Sequence, residues 1–256
     1  MAVYTILMLF FAGVAGGMLS SMVGGAAVVT YPALIAAGIP PLAATTCNLT
    51  ASFPGTFFAA MSDRAQLPPF NRAFIGMVLA SMIGAGLGAS LLLATPERLF
   101  ALLVPILLGF ATMLFAFAQR VGNWLRARAR RRGRDIAFSV TSLKMLLPVS
   151  FYGGYFGAGV GVLLLGVMSV ATGGDYRSAN VVKNLVTSLN SGVAAAIFIL
   201  KGTVIWPQTL ALMAGSIAGG LLGAALARVM ARQVMRVAVV VVGALLTGFF
   251  AWRYWF

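Results

Sequence analysis

Apolar runs recur along the whole chain, and nothing constrains its fold more. Ten can be drawn, at 2–22, 25–38, 41–62, 71–94, 98–118, 141–158, 160–173, 178–200, 206–229 and 233–253. A bilayer core about 30 Å thick is crossed by a helix of about 20 apolar residues, so most of these runs are long enough to span it. Hydrophobic residues make up 61% of the chain and charged ones only 9%, against about 25% charged in a soluble domain. In lipid, every backbone N–H and C=O must be paired within the protein, which leaves helices or a closed barrel. The alternating pattern of a membrane barrel, with segments of about 10 residues, is absent. The expectation is an all-α polytopic membrane protein with about 8–10 membrane segments. The runs at 25–38 and 160–173 are too short to cross and read as broken or re-entrant helices. The N-terminal run lacks a basic leading region and continues into the body of the chain, so it reads as a span and not as a cleaved signal peptide.

The reactive residues are few. There is one cysteine, Cys47, no histidine, and four acids: Asp63, Glu97, Asp135 and Asp175. Intrachain disulfides, histidine metal sites and histidine acid–base catalysis are thereby excluded, and no Gly-Lys-Ser/Thr phosphate loop occurs. An enzyme is not expected, nor a cofactor or metal. The net charge of +14 would suggest nucleic acid in a soluble protein. Here seven arginines crowd between Arg120 and Arg134 and most other basic residues flank apolar runs. That pattern implies cytoplasmic anchoring against anionic headgroups at 120–134 and no nucleic-acid partner. With that loop inside, Arg64, Arg72, Lys144, Arg177, Arg228, Arg232 and Arg236 also fall inside, and only Arg98, Lys201 and Arg253 fall outside.

The basic loop divides the chain into 1–119, a loop at 120–140, and 141–256. The flanking parts resemble one another. Gly16-Gly17 matches Gly153-Gly154 at an offset of 137 residues, Asn48-Leu-Thr-Ala-Ser52 matches Asn184-Leu-Val-Thr-Ser188 at 136, and the run Ser81–Ala89 matches Ser216–Ala224 at 135. Three matches in order at nearly one offset indicate a repeat. Five segments per half make the second copy enter from the opposite side, so two inverted-topology repeats are expected, as in many secondary transporters.

Two pairs of features carry candidate chemistry. Each half has a glycine-rich break leading into its short segment: Gly16–Gly25, with Gly24 and Gly25, and Gly153–Gly161, with Gly157 and Gly159. A helix interrupted at matching places points to a midplane site, where freed N–H groups favour an anion; the plainer reading is close packing of helices. Each half then has a polar stripe. Asn180, Lys183, Asn184, Thr187 and Ser188 fall at helical spacing on one face, and Thr45, Thr46, Asn48 and Ser52 form the counterpart. Amide and hydroxyl groups there can replace water around a small oxyanion, and Lys183 adds positive charge. Interhelical hydrogen bonding is the plainer account of the stripes, and snorkelling to the cytoplasmic face that of Lys183. The stripes Ser81/Gly84/Gly88 and Ser216/Gly219/Gly223 read as helix packing. Pro32, Pro54, Pro105, Pro148 and Pro207 mark kinks or helix starts. Asp63 and Asp175, at segment ends near Arg64 and Arg177, read as caps or ion pairs.

These residues also carry a resemblance. Gly16-Gly17, Gly24-Gly25, Pro32, Pro40-Pro41, Ala44-Thr45-Thr46 and Asn48 resemble the first half of the TauE/SafE sulfite exporter family. The run Gly153–Gly161 followed by Asp175-Tyr-Arg-Ser-Ala-Asn180-Val-Val-Lys183-Asn184 is similar to its second half. Half one departs in having Ser20-Ser21-Met22 where half two has Gly157-Ala158-Gly159, so the halves need not contribute equally. The resemblance implies a multi-pass protein of a bacterial cytoplasmic (inner) membrane that exports sulfite or an organosulfonate. The expected site comprises Lys183, Asn184, Asn48, Thr46, Ser52, Asn180, Thr187, Ser188, Gly24, Gly25, Gly157 and Gly159. The alternative is an anion channel or a facilitator of other anion specificity, and a homo-oligomer stays open.

Overall fold

The computed structural model describes residues 2–117, 140–172, 175–226 and 232–255, with Arg120 and Ala127 besides. Nearly all of the basic loop lies outside these, and with it the expected lipid contact at 120–134. The described residues hold ten α-helices and no strand. In chain order they are α1 (Ala2–Met22), α2 (Ala27–Ala36), α3 (Pro41–Met61), α4 (Arg72–Ala94), α5 (Glu97–Ala116), α6 (Val140–Tyr155), α7 (Val160–Ala171), α8 (Tyr176–Leu200), α9 (Trp206–Leu226) and α10 (Arg232–Trp255). A short 3-10 turn, Arg64–Gln66, follows α3. Each of the ten apolar runs therefore forms one helix. Five of them (α1 from Val3, α4, α5, α8 and α9) are long and apolar enough to cross a membrane. At 1.5 Å per residue, α2 and α7 reach only about 15–18 Å, roughly half a bilayer core.

Local chemistry sets the ends. Pro41 opens α3 and Asn71 caps α4 by accepting from the Phe74 N–H at 2.8 Å. Asp175 opens α8, its carboxylate accepting from the N–H groups of Arg177 (3.2 Å) and Ser178 (2.9 Å). Asp63 takes Arg177 in a two-pronged ion pair with both contacts at 2.7 Å. These two acids thus act as cap and ion-pair partner, and the pair joins the first half of the chain to the second. Pro32, Pro54, Pro105 and Pro148 sit inside α2, α3, α5 and α6.

Small residues decide which helices touch. α1 lies along α9 and α6 lies along α4. A Cβ on Gly17 would strike the Ser216 carbonyl, and one on Gly219 that of Val14. In the other pair, a Cβ on Gly88 would strike the Phe151 carbonyl, and one on Gly154 that of Ala85. Backbones meet directly, which is how helices associate where lipid is as apolar as leucine. α3 packs on α9 in the same way, a Cβ on Gly220 striking the Gly55 carbonyl; α8 also packs on α4, α3 pairs with α8 and α5 with α10. α8 is the most buried of the five long apolar helices. It is enclosed on every side between Ala179 and Val186, so Val181, Val182, Leu185 and Val186 meet protein as the polar stripe does.

Candidate functional site

The helix ladder of α1 breaks at a left-handed glycine. Gly24 has φ +92°, a conformation that costs an L-residue with a Cβ about 1–2 kcal/mol. The chain turns there so that the N–H groups of Val23 and Gly24 both point at the Leu19 carbonyl, at 2.8 and 2.9 Å. The Gly24 and Gly25 N–H groups would otherwise have continued the ladder to Ser20 and Ser21. The last carbonyls of α1 are left facing the interior, at the negative end of the helix dipole.

One face of α8 covers them. Lys183 is wholly buried, at 0% exposure. Its Nζ donates to the carbonyls of Ser20 (2.8 Å) and Ser21 (3.3 Å). Asn180 and Asn184 donate through Nδ2 to the same Ser21 carbonyl, at 3.0 and 3.3 Å. One turn earlier, the Tyr176 hydroxyl donates to the Met22 carbonyl at 2.8 Å. Snorkelling is thus replaced by an inward reach onto a helix end. The same stripe also leaves polar atoms over: Asn180 Oδ1, Asn184 Oδ1 and Thr187 Oγ1 are buried without a hydrogen-bond partner.

The counterpart on α3 does something different. Asn48 Oδ1 accepts from the Thr30 hydroxyl of α2 at 2.6 Å. Thr46 donates to the Ala43 and Thr203 carbonyls (3.0 and 3.1 Å), and Ser52 donates to the Asn48 carbonyl of its own helix (2.8 Å). Ser188 bridges the two helices by donating to the Phe53 carbonyl at 3.3 Å. α3 and α8 run antiparallel, since Thr46 meets Thr203 at one end and Asp63 meets Arg177 at the other. Asn48 therefore lies on one side of the Phe53–Ser188 crossing and Asn184 on the other, about 13 Å apart along the axis at 1.5 Å per residue. The structure groups Lys183, Asn180 and Asn184 at one level and Asn48 with Thr30 at another. The stripes are stacked, not set as two facing walls.

The glycine breaks meet each other. A Cβ on Gly24 would strike the Cα of Gly161, and one on Gly161 the Cα of Gly24. Gly25 lies 2.8 Å from the Phe115 ring and Gly157 2.6 Å from Leu49, both measured from where a Cβ would stand. Gly159 opens α7 with φ +74°, against Ala111 at 3.2 Å. Side chains and backbone cover all four expected glycines, so in this conformation they turn and pack the chain.

Sequence reasoning passed over three participants. Thr30 is a lone hydroxyl in an apolar helix, Tyr176 sits at a helix start, and the Ser20–Ser21 contribution is backbone and invisible in side-chain type. It also missed a closed ring in which Ser81 donates to Asn190 Oδ1 (2.7 Å), Asn190 Nδ2 donates to Ser150 (3.0 Å), and the two serine hydroxyls meet at 2.7 Å. The ring ties α4, α6 and α8 inside the apolar interior. Among the described residues, no group of histidine, cysteine, aspartate and glutamate is arranged to hold a metal.

Helices long and apolar enough to cross a bilayer, two half-length ones and a buried lysine against a broken helix end define a multi-pass membrane transporter. The chain belongs to the family described as Sulfite exporter TauE/SafE, which matches residues 9–250. It is 27% identical to a probable membrane transporter protein, ORF9, of Sinorhizobium sp over 96% of this chain and 92% of that one. It is 23% identical to a probable membrane transporter protein of Haemophilus influenzae, over 93% and 91% of the two chains. With the probable membrane transporter protein YfcA of Escherichia coli K12 it shares 24% identity, over 93% and 87%. No solved structure matches it.

Proposed function

We propose that this protein exports a small sulfur oxyanion, sulfite or an organosulfonate, across the cytoplasmic membrane. The observation that carries the reading is Lys183. A charge at the centre of a membrane helix costs roughly 2.5–3.5 kcal/mol on insertion scales and is kept where it has work. The acids among the described residues, Asp63, Glu97 and Asp175, all sit at helix ends and none is buried, so none of these three neutralises it. An ammonium has three donors; the Ser20 and Ser21 carbonyls take two and the third is left for an anion. The unpartnered Asn180 and Asn184 oxygens suit an oxyanion that still carries a proton, because they accept and cannot donate. Inside-negative potential drives an anion outward by about 2.3 kcal/mol per charge per 100 mV.

The paired packing of α1 on α9 and α6 on α4 supports two inverted repeats that rock about the glycine contact. The clustering of basic residues supports an inner-membrane orientation with the 120–134 loop cytoplasmic. Purified protein in liposomes tests the reading. Saturable uptake of labelled sulfite with counterflow is expected, and Lys183→Ala lowers it at least about tenfold, the loss of one charged hydrogen-bond donor. Unsaturable conductance would replace the carrier with a channel, and unchanged transport by Lys183→Ala would remove Lys183 from the site.

A further inference from the structure

The end of α1 has the makings of a cation site. Broken membrane helices coordinate co-transported cations with unwound carbonyls and with the C-terminal ends of half-helices, whose dipole is negative. α1 presents both: its ladder stops at Gly24, and the Ser20 and Ser21 carbonyls turn inward without a backbone donor. What sits on them is the Lys183 ammonium, at 2.8 and 3.3 Å. Two further buried oxygens, Asn180 Oδ1 and Asn184 Oδ1, belong to the amides that hold the Ser21 carbonyl, and they have no partner of their own. No carboxylate among the described residues pairs with Lys183, and the groups it meets are carbonyl dipoles, ligands that suit a monovalent ion.

We propose that the Lys183 ammonium is a tethered cation, filling the oxygen-lined position at the broken end of α1 that a sodium or potassium ion would otherwise take. The protein then carries that charge itself, and transport needs no monovalent co-ion. Cut back to a short side chain, the position takes a free cation instead. This deepens the transporter reading and rests on it for the word co-ion, but the cation site is testable without any anion.

The test is thermal unfolding of the purified full chain in detergent, in sodium, potassium or choline chloride at equal ionic strength. Wild type is expected to unfold at one temperature in all three salts. Lys183→Ala is expected to unfold lower in choline and to be raised saturably by sodium or potassium. If the ion binds at about 10 mM, 100 mM salt should raise it about 3–5 °C. Which of the two ions works identifies the one the site fits. Methylammonium, the severed end of the side chain, should also rescue. Equal unfolding of Lys183→Ala in all salts would overturn the proposal. Should that variant fail to fold, wild type still decides: saturable stabilisation by sodium or potassium over choline would mean that the site is not filled by lysine. Added sulfite forms a separate arm, and absence of any anion effect there would strike the exporter reading while leaving the cation result standing.

Discussion

Two stretches of this protein stand 136 residues apart and share a pattern, Asn48 to Ser52 in α3 and Asn184 to Ser188 in α8. Their surroundings set them to different work. Just before the shared Asn, α8 carries Asn180 and Lys183, where α3 carries Ala44 and Cys47. Asn184 donates to a helix end in company with a cation, while Asn48 accepts from a single hydroxyl. Cys47 at the lysine-equivalent position is buried and its sulfur receives only the Ile205 N–H, at 3.4 Å. Repetition of a sequence pattern thus carries backbone and packing from one half to the other, while the polar chemistry can be concentrated in one of them. The breaks differ likewise. Half one turns at one left-handed glycine, Gly24, and half two at two, Gly157 and Gly159.

The comparison breaks most easily at the lysine. Lys183→Ala leaves the Ser20 and Ser21 carbonyls short of a charged donor, each such bond contributing about 1.5–3 kcal/mol. Cys47→Ala removes a weak sulfur contact and is expected to cost less than about 1.5 kcal/mol. Denaturation of both variants in detergent checks this; equal losses would mean that the two halves are equivalent after all.

A smaller contrast lies in the glycines. Gly24 and Gly38 both have positive φ, but a Cβ at Gly24 strikes Gly161 whereas at Gly38 it meets open space. Gly38→Ala should cost only the left-handed penalty of about 1–2 kcal/mol. Gly24→Ala adds a backbone collision and should cut the yield of folded protein by far more. Similar yields would show that the two breaks do not lean on each other.

The smallest expected effect is at the start of α8. Hydrogen bonds from the Ser178 side chain and then its backbone, with help from Arg177, hold the Asp175 carboxyl below the usual carboxylate range. Its stabilising contribution is therefore complete above the unfolded value near 3.9 and is lost as pH falls through the lower folded value. Asp175→Ala is expected to cost about 0.5–1 kcal/mol at pH 7 and nothing once the wild-type carboxyl is protonated. A difference that persists unchanged into strong acid would assign the effect to something other than the carboxylate.

Much of the architecture was legible because it depends on counting. A run of apolar residues of given length in lipid can only be a helix or half of one, so the ten runs became ten helices and the two short ones stayed short. Ser81, Gly84 and Gly88 were legible as packing residues because lack of bulk at helical spacing has few other uses in a membrane. The small hydroxyl of Ser81, closing a ring with Ser150 and Asn190, was not, since a hydroxyl may bond to its own helix or across to another. Ser52 shows the other outcome, donating to a carbonyl of its own helix, and Thr46 shows both, reaching Ala43 within its helix and Thr203 beyond it.

By itself the sequence determined that this chain lives in a membrane, where its helices run and which residues are too polar to face lipid. Only the tertiary structure decided what those residues touch. It set Asn48 and Asn184 on opposite sides of a crossing, because α3 and α8 run antiparallel. It drew Lys183 inward, because the ladder of α1 stops at Gly24 and leaves bare carbonyls within reach. The position of a backbone carbonyl is not written in any side chain, so the partner of the lysine could not be read before the helices were packed.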